Sequence, residues 1–357
     1  MNIFKVLMPL AILSLLAACG GKPALPPVAD TVPLILAPIS NTKTADARGR
    51  FREIYCAVRE DHGRSLPDDR PCDEALWELA GEPGASGRPV ELGKPRLNLR
   101  ILVVPGLFND CLEHMISVFS DARTHLETLG FKTGYIPVGG RSSCVHNARQ
   151  IRDYLLAADL EPGEKAVLVG YSKGTADILE ALVSYPEVLP GVAAVVSVAG
   201  AVGGSPLAEE LSDFYLSLLM QFPAPHCPAG DGGGIESLKP RTRHLWLSNH
   251  PLPAGIRFYS LANFAGREET SAIMRPKYDH LARIDPRNDG SVVFFDMIIP
   301  GSTLLGYARA DHLAVAMPFN RTWPTLSAGI LDRNAFPREV LLEAAIRFVE
   351  EDLTSAR

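Results

Sequence analysis

Between residues 97 and 200 the chain alternates two kinds of apolar pattern. "LNLRILVVPG" (97–106), "FKTGYIPV" (131–138), "KAVLVG" (165–170) and "VAAVVSVAG" (192–200) contain short apolar runs rich in β-branched residues. Between them, "CLEHMISVFSDARTHLETLG" (111–130), "CVHNARQIRDYLLAADL" (144–160) and "TADILEALVSYP" (175–186) place apolar residues at helical spacing, with stops at Gly130 and Pro186. Buried strands alternating with helices predict an α/β architecture, a mostly parallel sheet covered on both faces. Ligands of such sheets collect at the carboxyl ends of the strands.

After Gly200 the rhythm breaks. "SPLAEELSDFYLSLLMQF" (205–222) predicts a helix, but 223–255 is proline-rich, contains "GDGGG" and has no clear period. An insertion over about 205–255, beside the strand ends, suits a lid or substrate-binding segment. "IRFYSLAN" (256–263) and "LLGYARADH" (304–312) resume the sheet. "PREVLLEAAIRFVEEDL" (337–353) predicts a terminal amphipathic helix with apolar positions Val340, Leu341, Ala344, Ala345 and Phe348.

With 357 residues, 46% of them hydrophobic and 21% charged, the chain can bury a sizeable core. Its formal net charge of −6 and the lack of a dense basic run give no electrostatic reason to expect nucleic acid as a partner.

The start of the chain is built differently. A short positive segment, Met1 to Lys5, precedes thirteen uncharged residues (6–18), too few for a comfortable membrane span but suited to a signal-peptide core. The segment ends in "LAAC", which resembles the cleavage box of bacterial lipoproteins. That resemblance implies residues 1–18 as a signal peptide and Cys19 as the lipidated residue. Gly20, rather than an aspartate, implies transfer to the outer membrane, facing the periplasm. Residues 19–50, with Pro23, Pro26, Pro27, Pro33 and Pro38, read as a semi-extended tether, and residues 51–357 as the folded domain. In an oxidising compartment the other five cysteines invite disulfides. Cys56 with Cys72 and Cys111 with Cys144 are the candidate pairs, and Cys227 is left over. Sequence leaves the connectivity open.

The chemistry centres on "LVGYSKGTAD" (168–177). A G-x-S-x-G set between a buried strand and a helix makes a turn so tight that only Gly170 and Gly174 fit around it, and it lifts Ser172 above the sheet edge. A serine hydroxyl needs a base, itself oriented by a carboxylate. Four histidines, His62, His114, His125 and His146, precede the serine. His226, His244 and His250 fall in the irregular insertion, and His280 comes before the best acid. His312 directly follows the last strand, where the base is expected. For the acid, the "NDG" turn favours Asp289 over Asp285 and Asp296, and Asp311 should point away from its neighbouring histidine. The backbone N–H of Lys173, next after the serine, supplies one oxyanion donor. The loop "VVPGLFNDC" supplies the other through Leu107, with Phe108 as the alternative. The Lys173 ammonium is expected in solvent, four residues before Asp177.

These motifs together resemble the α/β-hydrolase superfamily, in its bacterial lipase and esterase branch. "PGLFND" is similar to the oxyanion loop, "GYSKG" to the nucleophile elbow, "NDGSV" to the acid turn and "DHLAV" to the histidine loop, over roughly residues 97–350. Pro105-Gly106 stands where His-Gly is common. "GGRSSCVHNA" (139–148) is also similar to a loop of this branch that shapes the pocket. The resemblance implies hydrolysis of carboxylic esters through an acyl-enzyme by Ser172, His312 and Asp289, with no metal or organic cofactor. The substrate would be an ester, and a lipid anchor mildly favours lipids or acylated polymers. Acyl transfer with the same triad and a non-catalytic lipoprotein scaffold are the alternatives.

Overall fold

The structure, a computed structural model, describes residues 44–112, 116–210, 228 and 230–355. The expected signal peptide, Cys19, Cys227 and the expected helix beyond Glu210 lie outside the described residues. Seven strands form one sheet in the order β1-β7-β6-β5-β4-β2-β3, and all neighbours run parallel. They are β1 (Ala45–Asp46), β2 (Leu99–Val104), β3 (Lys132–Tyr135), β4 (Lys165–Tyr171), β5 (Val192–Val198), β6 (Arg257–Asn263) and β7 (Thr303–Ala308). The six runs read as strands are β2 to β7.

Successive side chains of a strand point to opposite faces, and both faces are apolar here. Ile101, Val103, Val167 and Val169 enter one layer with helices α1 (Arg48–Asp61), α2 (Ser120–Thr128) and α6 (Arg338–Ser355). Leu102, Val104, Ala166 and Leu168 enter the other with α3 (Cys144–Ala157) and α4 (Lys173–Ser184). The register aligns Val104 with Gly170 and Tyr171 with Val198, so the central strands end level on one edge.

The ordered fold begins before the expected boundary at residue 51. Ala45 and Asp46 pair with β7, and α1 buries Phe51, Ile54, Tyr55 and Val58 at the spacing of one helical face. Arg48, Arg50, Arg52, Glu53 and Arg59 between them hide that face from a composition-based reading. The helix expected over 111–130 is two pieces, Asn109–Leu112 and α2, with Phe119 at φ +53° just ahead of α2. Within the irregular insertion a further helix, α5 (Pro240–Asn249), starts on a proline at its first position.

The terminal helix departs most from its prediction. α6 is buried on nearly every side from Arg338 to Glu350, charged residues included. Arg338 donates to Asp121 Oδ2 at 2.8 Å and to the carbonyls of Ala314 and Asn334. Arg347 donates to the carbonyls of Leu92 and Gly93, and Glu350 accepts from the amides of Arg96 and Leu97. The positions that read as an outward stripe instead hold irregular backbone.

Cys56 and Cys72 form a disulfide, with Cα atoms 5.6 Å apart, that ties α1 to the turn at Cys72–Ala75. The pairing of Cys111 with Cys144 is not formed. The Cys144 thiol is free and faces the interior beside the Asp177 carboxylate, and burial pushes its pKa up to about 12. Cys111 is itself disulfide-bonded. The Cys56–Cys72 link closes a sequence separation of 16 residues. Replacing both by alanine should cost about 3 kcal/mol of unfolding free energy, read as a lower denaturant midpoint. An unchanged midpoint would show that the cross-link does not constrain the unfolded chain.

Candidate active site

Ser172 stands between β4 and α4 with φ +54° and ψ −126°, a conformation non-glycine residues rarely adopt. Three glycines let the neighbouring backbone come this close. A Cβ on Gly170 would lie 2.6 Å from the Cα of Thr175. One on Gly174 would lie 2.3 Å from the carbonyl oxygen of Val104, and one on Gly106 2.7 Å from the Cβ of Ser172. The end of β2 is therefore pressed directly against the serine. Hydrogen bonds fix the turn: Ser172 N–H donates to Val198 O, and Ser172 O accepts from the amides of Thr175 and Ala201.

His312 comes from the loop after β7. Its Nε2 is 2.9 Å from Ser172 Oγ, and its Nδ1 is 2.6 Å from Asp289 Oδ2. With Nδ1–H donating to the carboxylate, Nε2 is left as the acceptor for the serine hydroxyl. Asp289 is fully buried, and its two oxygens have separate tasks. Oδ1 accepts from the amides of Ser291 and Val292, which closes the turn. Oδ2 faces the imidazole and Asn263 Nδ2, and the His312 amide donates back to Asp289 O. The Tyr171 ring lies 5.1 Å from the His312 ring, and its hydroxyl donates to His312 O. Burial, with Asp289 and Asp311 nearby, raises the Tyr171 phenol well above its ordinary pKa and keeps it neutral.

The other carboxylates are engaged elsewhere. Asp285 pairs with Arg287, and Asp296 is 3.4 Å from His244. Asp311 points away from the imidazole, accepting from the amides of Ser271, Leu313 and Ala314. Of the two oxyanion-loop amides, that of Phe108 donates to Gly140 O, whereas no hydrogen bond among the described residues uses that of Leu107. Leu107 therefore keeps its N–H, beside the glycine that touches Ser172.

The Lys173 side chain is not in solvent. It is 1% exposed, and its ammonium donates to Asp177 Oδ1 at 2.6 Å. Asp177 Oδ2 accepts from Asn147 Nδ2 at 2.8 Å, and Asn147 binds both the amide and the carbonyl of Gly139. Gly140 in turn accepts from Phe108. The loop 139–144 thus supports the oxyanion loop from behind, a role that sequence reasoning missed. Nothing in the sequence marks it, because Lys173, Asp177, Glu180 and Ser184 follow the spacing of a solvated helix stripe.

The loop after β2 packs into an apolar cluster. Leu107 and Phe108 join Ala201 and Val292, next to the acid turn, with Ile235 and Leu238 of the insertion. Asp231 holds that part of the insertion, accepting from the amide and hydroxyl of Ser143 at 2.7 and 2.6 Å. Burial alone would raise the Asp231 pKa, but these bonds and the Gly233 amide hold it below the usual carboxylate range.

The chain is similar to the solved metagenomic carboxyl esterase MGS0156, at 49% identity and a TM-score of 0.85, over 91% of this chain and 99% of that one. The fold is also shared with EstA from Clostridium botulinum, at 13% identity and TM-score 0.55 over 87% of this chain and 96% of that one. The mature lipase BlEst2 from Bacillus licheniformis aligns at 21% identity and TM-score 0.50, over 63% of this chain and 89% of that one. No family model and no curated protein matches the chain.

The support behind Ser172 can be tested by unbalancing it. Lys173→Met leaves the Asp177 carboxylate buried without its cation, which should cost on the order of 3 kcal/mol of stability. Lys173→Met combined with Asp177→Leu should recover most of that loss. Equal losses in the single and double variants, measured by chemical denaturation, would mean that the ammonium does not compensate a buried charge.

Proposed function

The chain belongs to the carboxyl esterases of the α/β-hydrolase fold, and from that premise we propose that it cleaves carboxylic esters through an acyl-enzyme formed on Ser172. Ser172 Oγ attacks the ester carbonyl carbon while His312 Nε2 takes its proton. Asp289 holds the imidazole in the required tautomer and stabilises the imidazolium. The amides of Leu107 and Lys173 stabilise the negative charge that develops on the carbonyl oxygen. Collapse of this intermediate breaks the ester C–O bond, and His312 returns the proton to the departing alkoxide. A water molecule, deprotonated by the same nitrogen, then attacks the acyl-serine and releases the carboxylic acid.

The observation that carries this reading is the continuous chain from Ser172 Oγ through His312 to Asp289, at 2.9 and 2.6 Å. The apolar cluster of Leu107, Phe108, Val292, Ile235 and Leu238 favours an ester with a hydrophobic acyl or alcohol part. The N-terminal pattern adds a location to the reading. Cys19, acylated after signal-peptide removal, anchors the enzyme to the outer membrane facing the periplasm, close to lipids and acylated polymers.

Ser172→Ala should lower turnover of a test ester by about 10⁴-fold or more and abolish labelling by a fluorophosphonate, with the fold retained. Asp289→Asn should cost about 10⁴-fold in kcat with KM little changed, whereas Asp285→Asn and Asp296→Asn should leave turnover nearly intact. Substantial activity in Ser172→Ala, or a comparable loss in either control, sinks the assignment.

The anchor has its own test. Cys19→Ser should shift the protein from the membrane fraction to the soluble periplasm, since a polar tether alone has no membrane affinity. Unchanged fractionation would rule out lipidation at that cysteine.

A further inference from the structure

Two histidines that precede the serine meet elsewhere in the fold. His62 caps the C-terminal end of α1, His125 lies in α2, and both rings point at Glu343 in the middle of α6. His62 Nδ1 is 2.9 Å from Glu343 Oε1, and His125 Nε2 is 2.7 Å from Oε2. The donor atoms of the three residues all lie within 4.8 Å of one another. We propose that His62, His125 and Glu343 form a binding site for a divalent transition-metal ion, zinc first, which clamps α1 and α2 to the terminal helix.

Two imidazoles and one carboxylate are a donor set suited to zinc. The second coordination sphere is also in place on one side. The far nitrogen of His62, Nε2, is 3.3 Å from Asp61 Oδ2, the carboxylate–imidazole arrangement that orients metal-bound histidines and raises their basicity. The rings stand edge to face with centroids 6.1 Å apart. An ion takes each donor at about 2.0–2.2 Å, so seating it draws the donor atoms, which lie within 4.8 Å of one another, in around it. The His62 side chain is 20% exposed and can make that movement, and its open side leaves a fourth position for water.

Arg347 is the group that opposes a cation here. Its Nε is 3.3 Å from Glu343 Oε1, and the carbonyls of Leu92 and Gly93 with the Glu350 carboxylate hold it there. It occupies one oxygen from outside and leaves Oε2 beside His125 for the ion. In the metal-free state two ring N–H groups aim at a carboxylate that is wholly buried. Metal binding needs the lone pairs of His62 Nδ1 and His125 Nε2, so with the ion bound each ring carries its N–H on the other nitrogen. This site holds structure together and takes no part in the ester chemistry.

The test uses tag-free, full-length enzyme stripped with chelator and then titrated with zinc or cobalt. Wild type should bind about one equivalent, melt at a higher temperature with zinc than without, and give with cobalt the intense visible absorption of a four-coordinate nitrogen and oxygen site. His312→Ala should give the same cobalt spectrum, which separates this site from the imidazole beside Ser172. His62→Ala and His125→Ala should lose the spectrum and the zinc-induced stabilisation while keeping metal-free esterase activity. Asp61→Asn, at an exposed position, should weaken binding by about 10-fold or more without endangering the fold. If wild type gains neither metal nor thermal stability at micromolar zinc, or if His62→Ala and His125→Ala bind as wild type does, the proposal is overturned and the cluster is a hydrogen-bonded clamp alone.

Discussion

The constraint on which the site depends is the closeness of two loop starts at one sheet edge. β2 pairs with β4 to its last residue, Val104 opposite Gly170, so the loops that follow the two strands begin nearly level and side by side. Only glycine at 106, 170 and 174 lets those backbones approach. The approach places the Leu107 amide near Ser172 without any help from a side chain. It also forces Ser172 into its positive-φ turn, which costs roughly 1–3 kcal/mol. Hydrogen bonds from Ser172 to Val198, Thr175 and Ala201 oppose relaxation of that turn. The geometry around Ser172 is thus set by backbone packing.

Backbone that leaves regular structure still needs hydrogen-bond partners, and here long charged side chains supply them from inside the protein. Asn147, linked to the Lys173–Asp177 pair, binds Gly139 in the loop behind the oxyanion residues. On the other face Arg347 and Glu350 of α6 do the same for residues 92–97. Arg347 and Glu350 are buried charges whose desolvation is offset by each other and by the carbonyls and amides they bind, and Asn147 is a buried neutral amide held by Asp177.

This explains what the sequence could and could not reveal. Strands β2 and β4 to β7 were legible because apolar runs buried on both faces have no surface counterpart, and half-buried β3 because it falls in the same alternation. Ser172, His312 and Asp289 were legible as neighbours because motif and chain order bring them to the same strand ends. Lys173 with Asp177 was not, since a lysine and an aspartate four residues apart look the same on a solvated helix and on a buried one. α6 misled for the same reason, because Arg338, Glu343 and Arg347 follow the spacing of an outward face. α1 was missed because its four apolar positions are diluted by arginines. The wrong partner for Cys144 follows from treating strand order as proximity, whereas its thiol turns inward at the start of α3.

The described part of the insertion differs in character from a free lid. Ser143 donates to Asp231 from its amide and its hydroxyl, Gly234 N–H to Arg141 O, Cys144 N–H to Ser237 Oγ, and Arg141 Nε–H to Pro228 O. At about 1 kcal/mol net for each such bond, lifting residues 228 and 230–238 off loop 139–144 would cost several kcal/mol, with Ile235 and Leu238 losing apolar contacts as well. That loop is also the one that holds the Phe108 amide through Gly140. A movement large enough to open this rim would therefore disturb the oxyanion loop itself. Residues 228 and 230–238 are thus fastened to loop 139–144 rather than free of it.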